Sequence, residues 1–180
     1  MDVLAHGLWG GVAFYPHGAK RFAAGFALGM APDLLSFGLF HVSHPGWLSL
    51  RLAGQISGPP PLSILPEFVF HTYNLTHSLV VWAALFALIW ALQKRPPWVF
   101  LAWSLHIVCD IPTHNSAYFP TPYLWPLPTP LVNGISWATP WFMLVNYGAL
   151  LAAYLGMFLY VRKRSFKESN LPLRLANSDE

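Results

Sequence analysis

Lys94-Arg95-Pro96-Pro97-Trp98-Val-Phe-Leu-Ala-Trp-Ser-Leu-His106-Ile-Val-Cys-Asp110-Ile-Pro112 is the stretch on which the reading of this chain turns. A basic, proline-rich break opens an apolar run, and the run carries an imidazole and a carboxylate four positions apart. In a helix that spacing puts both groups on one face, one turn apart. Ionisable groups at membrane depth are costly, and where they persist they mark function. His and Asp at i and i+4 are also a natural ligand pair for a first-row metal such as zinc.

The composition around this stretch sets the class. Of 180 residues, 55% are hydrophobic and only 9% are charged, where a soluble domain carries about 25% charged residues. The expectation is an all-α, polytopic membrane bundle of about five apolar helices. Residues 1–164 form its single membrane domain, and residues 165–180 form a polar tail expected to be disordered. Nine Trp suit a chain whose rings gather at the bilayer interface. The net charge of +3 comes from short clusters rather than a basic stripe, so no nucleic-acid partner is expected. The one cysteine, Cys109, rules out an internal disulfide and reads as a small buried apolar residue. The start Met-Asp-Val-Leu-Ala-His has no basic n-region, so the first apolar stretch is expected to remain in the mature protein.

Five apolar segments follow from the pattern: Val3–Tyr15, Arg21–Val42, Pro66–Leu92, Trp98–Asp110 and Thr139–Tyr160. The first is short for a full span. Lys20-Arg21, Lys94-Arg95 and Arg162-Lys163-Arg164 flank them. The positive-inside rule assigns all three clusters to the cytoplasmic side, with the C-terminus inside. The Gly46–Pro61 and Thr113–Trp137 loops then lie outside, where Arg51 is the one basic residue. The expected location is the bacterial cytoplasmic membrane.

Helical rise converts position into depth. Measured from the nearest basic cluster, Asp33 lies ~18 Å up, His106 ~16 Å, Asp110 ~22 Å, His77 ~25 Å and His6 ~21 Å. Five groups from four segments thus share one slab in the outer half of the bilayer. Asp33 has no basic neighbour in sequence, and a buried carboxylate without a partner is several kcal/mol unfavourable or takes up a proton. A cation removes that cost; the alternative is a capping Asp at a break made by Pro32. Asp110 either binds the metal or orients His106. His77 lies between Thr76 and Ser78, polarity that an apolar core does not need. His6 precedes Gly7, Gly10 and Gly11, which permit close helix approach.

The expected metal residues are therefore His6, Asp33, His77, His106 and Asp110. His114, beyond Pro112, sits at the mouth of the site, where it or an unliganded carboxylate serves as general base, and Tyr73 is placed to hydrogen-bond a substrate oxygen. His71 reads as a lip residue, and Asn74 as a bridge between His71 and His77. His17, His41 and His44 read as interfacial, and Glu67 as a helix-dipole partner.

The order His6-x-x-x-Gly10, Pro32-Asp33, Thr76-His77-Ser78, His106-x-x-x-Asp110 and Leu124-Trp125-Pro126-Leu127 resembles the membrane-bound metal-dependent hydrolases of the YdjM-like family. That family is distantly similar to zinc-dependent phospholipase C and the related zinc nucleases. The resemblance implies a hydrolase with His6, Asp33, His77, His106 and Asp110 at the metal site. Two departures argue against a second metal. Leu34, Leu35 and Ser36 follow Pro-Asp where many members have another acidic residue, and Tyr73-Asn74-Leu75 replaces His-Arg-Gly.

The functional expectation is a Zn²⁺-dependent hydrolase that acts on an ester or phosphodiester, lipid-linked, at the outer leaflet. Its partners are the bilayer and a phospholipid-like substrate. The rival expectation is a non-catalytic membrane protein that binds or moves a metal ion or haem through buried His and Asp.

Overall fold

Helix caps and breaks divide the apolar pattern more finely than hydropathy does. The computed structural model describes residues 1–56 and 58–176, with side chains through residue 164. It is all-helical, and no strand is present among the described residues. The helices are α1 (Val3–Phe14), α2 (Ala19–Asp33), α3 (Leu39–Ser43), α4 (Pro45–Leu52), α5 (Glu67–Thr76), α6 (Leu79–Gln93), α7 (Leu101–Thr113) and α8 (Pro140–Ala176). The polar tail expected from residue 165 lies outside the residues whose side chains are described, and residues 177–180 lie outside the described backbone.

The five expected apolar segments are all helical, but five spans are not supported. Two helices are long and apolar enough to cross a membrane: Ala19–Ser43 and Pro140–Arg164. A third span exists if α5 and α6 count as one broken helix, bent by 59°. α7 with its preceding turn, Trp98–Thr113, is a shorter apolar helix, and α1 has 12 residues. Each falls short of the ~20 residues a crossing needs. Apolar side chains on α8 face outward, with Leu144 77% and Leu151 72% exposed, as a lipid-facing helix requires.

The breaks have local causes. At Pro32-Asp33 the helix does not stop: a π-helical turn, Leu34–Gly38, carries it from α2 into α3. Asp33 is therefore no cap. A wide turn of this kind is a common mark of functional sites. Between α5 and α6 the Ser78 hydroxyl caps α6, accepting from the N–H groups of Val80 and Val81 at 3.2 Å each. The polarity of Ser78 thus belongs to a helix start. Lys94 in the left-handed conformation closes α6 before Pro96-Pro97. The expected loop after Val42 contains a helix, α4, with Pro45 in its first turn.

α1 lies against α2 through glycine. A Cβ on Gly29 would run into the backbone carbonyl of His6, and one on Gly10 into the carbonyl of Gly25. Backbone cannot yield as a flexible side chain does, so this crossing requires the small residue on both sides. Gly29→Val is expected to lower stability by about 1–3 kcal/mol and to move His6 away from its partner. A lower thermal midpoint of the purified variant checks this. An unchanged midpoint would mean that the crossing is not tight.

After α7 the chain runs through residues 114–139 and folds back over the same end of the bundle. The N–H groups of Gly134, Ile135 and Trp137 donate to the carbonyls of His114, Pro112 and Thr113, each at 2.9 Å. Leu79 N–H donates to Tyr123 O at 2.9 Å. Phe40, Leu65, Val69, Tyr73 and Phe119 form a buried hydrophobic cluster.

Candidate metal centre

Three places in the fold deliver the four polar groups to one point. The end of α2 supplies Asp33, the break between α5 and α6 supplies His77, and α7 supplies His106 and Asp110. One ligand atom from each of these four lies within 4.8 Å of all the others, and all four residues are buried. His77 and Asp110 are fully buried, and His106 is 1% exposed.

The hydrogen bonds fix which nitrogens face inward. His106 Nδ1 lies 2.7 Å from Gly29 O, and a carbonyl only accepts, so Nδ1 carries the proton. His77 Nδ1 lies 3.2 Å from Tyr73 O and 3.0 Å from Thr76 Oγ1. The Thr76 hydroxyl itself donates to Thr72 O at 2.8 Å, so His77 Nδ1 is again the donor. Both Nε2 atoms therefore turn lone pairs inward, and they face each other at 3.1 Å. Two lone pairs at that distance repel unless something positive lies between them.

The carboxylates close the same space. Asp110 Oδ2 lies 3.1 Å from His106 Nε2 and 3.6 Å from His77 Nε2, and Asp33 Oδ1 lies 3.9 and 3.5 Å from the same two atoms. Asp110 Oδ2 is buried without a hydrogen-bond partner. A tetrahedral zinc with nitrogen and oxygen ligands at ~2.0–2.1 Å has ligand–ligand edges of about 3.3 Å. The observed separations bracket that value. One proton on either imidazole answers one of these contacts; a divalent cation answers all of them. The donor set fits a metal.

The remaining expected residues divide by role. His6 is outside the group of four. Its Nε2 lies 2.8 Å from Asp110 Oδ1 and its ring stacks on His106 with centroids 3.5 Å apart. It holds the far oxygen of Asp110 and orients both groups, as outer partners of metal ligands do. The Met1 amino group also contacts Asp110 Oδ1, and it lies 3.2 Å from Thr113 Oγ1. His114 caps α7 and gives its Nδ1–H to Phe119 O at 2.8 Å. Its Nε2 then faces Asp110 Oδ1 at 3.8 Å with a free lone pair. Burial holds the His114 pKa below its ordinary value, which favours the neutral imidazole.

Tyr73 does not reach the open space where substrate contact was expected. Its hydroxyl donates to Phe119 O at 3.1 Å and sits 2.9 Å from His114 Nδ1, while its ring stacks on His77 at 3.8 Å. It is a positioning residue for two histidines. Tyr73→Phe is expected to keep the full metal content and to reduce any His114-dependent turnover about tenfold. Loss of metal in this variant would place the hydroxyl in the coordination scheme instead. His71 is exposed and pairs with Glu67 at 3.4 Å, far from any ligand role. Asn74 bridges nothing among the described residues.

A cavity of about 220 Å³ opens beside the centre, with Asp33 and His114 in its wall. His41, Arg51, Tyr118 and Trp137 also line it. From sequence His41 reads as interfacial and Arg51 as a lone basic residue in an outer loop. Their sequence distance from the His/Asp motifs hides a convergence made by α3 and α4.

Together these features define an all-α protein with two helices, among the described residues, long and apolar enough to cross a membrane, and a buried Asp/His/His/Asp group suited to a metal ion. Comparison of the chain with protein-family models, with curated proteins and with solved structures found no match.

Proposed function

We propose that this protein is a metal-dependent hydrolase of the bacterial cytoplasmic membrane, acting on an ester or phosphodiester presented at the outer leaflet. The carrying observation is the pair of inward lone pairs on His77 and His106, 3.1 Å apart and flanked by two buried carboxylates. Asp33, His77, His106 and Asp110 hold the ion, and zinc suits a mixed nitrogen and oxygen set. A bound Zn²⁺ supplies a Lewis acid and lowers the pKa of a water molecule. With its Nδ1 committed to Phe119 O, His114 would hold or take a proton at Nε2. His6 fixes the carboxylate of Asp110, and Tyr73 fixes His114 and His77. The apolar side chains in the wall of the adjacent cavity, Phe37, Phe119 and Trp137 among them, suit a lipid-linked substrate.

The motif order that resembles the YdjM-like hydrolases supports the same reading, with the C-terminus cytoplasmic and the centre in the outer half of the membrane. The test is release of product from short-chain lipid esters and phosphodiesters by the purified protein. Activity that is lost with a chelator and restored by Zn²⁺ supports the proposal. A protein that holds zinc stoichiometrically yet turns over none of these substrates favours a binding or transport role. Haem is the poorer rival, because nitrogens this close, both tied to the same carboxylates, leave no slot for a porphyrin. A Soret band in the purified protein would reverse that judgement.

A further inference from the structure

The cavity beside the metal centre carries charge that the four ligands do not explain. Arg51, near the end of α4, lines it together with Asp33 and His114. One Nη of its guanidinium donates to Gly58 O. No carboxylate lies within ion-pair reach of Arg51 among the described residues. His41 lines the same cavity, and its Nδ1 is buried without a hydrogen-bond partner. Two nitrogen-bearing side chains from neighbouring helices thus face one small space, whose wall also holds the apolar Phe37, Pro59, Phe119 and Trp137 and the charged pair of the Met1 amino group and Asp2.

The charge balance says what they face. Two carboxylates neutralise a divalent ion, the Met1 amino group on Asp110 and the Asp2 carboxylate offset each other, and the histidines that turn lone pairs toward the ion add no charge. A neutral ester needs no further cation, whereas a phosphate ester brings negative charge that the centre leaves unbalanced. An arginine fork is the side chain best matched to phosphate oxygens. We propose that Arg51, with His41 as second donor, forms an anion subsite that binds a phosphate group of the substrate beside the metal centre. The subsite rests on the hydrolase reading for the fate of the bound group, and it selects phosphate esters over neutral esters. The residues next to it carry outward apolar side chains, with Val42 78% and Leu52 80% exposed. A phosphate borne on a lipid and one on a soluble ester share the chemistry, and the experiment separates them.

The test is calorimetric titration of the detergent-solubilised full chain with three probes: dihexanoylphosphatidate, dihexanoylglycerol and inorganic phosphate. Wild type is expected to prefer the phosphatidate to the uncharged diacylglycerol. Arg51→Gln is expected to bind the phosphatidate about tenfold more weakly, and Arg51→Lys to recover most of that loss. Zinc content should match wild type in both variants, since Arg51 is exposed and touches none of the four ligands. Inorganic phosphate binding as tightly as the phosphatidate, with the same Arg51 dependence, upholds the subsite and assigns it to soluble phosphate esters. An Arg51 dependence that persists in chelator-treated protein upholds the subsite even if the hydrolase reading fails. Equal phosphatidate affinity in wild type and Arg51→Gln, with zinc intact, overturns it.

Discussion

Asp110→Asn is expected to empty the metal centre while leaving the helices in place. Asp110 is fully buried, and its two oxygens divide the work. Oδ2 faces His77 and His106, whereas Oδ1 receives the His6 N–H at 2.8 Å and faces His114 at 3.8 Å. The carboxamide keeps the shape but removes one of the two negative charges that offset a divalent ion. It can also turn an NH₂ toward the inward lone pairs and satisfy them without a cation. Loss of an outer-sphere partner costs about 10–100-fold in metal affinity, so loss of this ligand is expected to exceed that range. Elemental analysis should fall from one zinc per chain to a trace, with helical circular dichroism unchanged. Full zinc occupancy in Asp110→Asn would mean that the carboxylate is not a ligand.

Stripping the metal is expected to lower the thermal midpoint by on the order of 10 °C. An ion that binds only the folded state at about 1,000 times its Kd adds about 4 kcal/mol. For a chain of this length each kcal/mol moves the midpoint by roughly 2–4 °C. The physical source is specific to this centre. Without a cation, Asp33, Asp110 and two facing imidazoles stay crowded in a space that water hardly reaches, and the Met1 amino group and His6, both on Asp110 Oδ1, offset only part of their repulsion. Zinc should restore the midpoint, and Asp110→Asn should show no chelator effect. An identical melting curve with and without chelator would leave the cluster as a lock on helix packing rather than a metal site.

Much of the centre was legible in the sequence because helical spacing is rigid. His106 and Asp110 share a face by arithmetic, and the structure brings Asp33 and His77 to them as the common depth implied. What the spacing could not convey was second-order geometry. His6 falls at the right depth, yet its nitrogen meets a carboxylate oxygen rather than the central point, a difference of a few ångströms that no residue count registers. Tyr73 lies one turn from His77, as read, but its hydroxyl is taken by Phe119 O, which belongs to a chain segment far away in sequence.

The fold departed from hydropathy for a related reason. Hydropathy averages over a window, so it merged α5 and α6 into one span and missed the bend of 59° at Thr76-His77-Ser78. That bend is set by a serine cap and by contacts to residues 123–125, neither of which alters mean hydropathy. The π-helical turn after Pro32-Asp33 escaped for the opposite reason. Proline usually reads as a break, yet here the chain absorbs it in a wider turn and the helix goes on to Ser43. Arg51 and His41 carried no local signal at all, because their meaning depends on how α3 and α4 fold back over the centre.

X-ray absorption at the zinc edge of the purified protein bears most directly on the four-residue centre. A single first shell of four nitrogen and oxygen ligands at ~2.0–2.1 Å, with the outer-shell scattering of two imidazoles, is the expected spectrum. Substoichiometric zinc, or a shell of water oxygens without imidazole scattering, would contradict it.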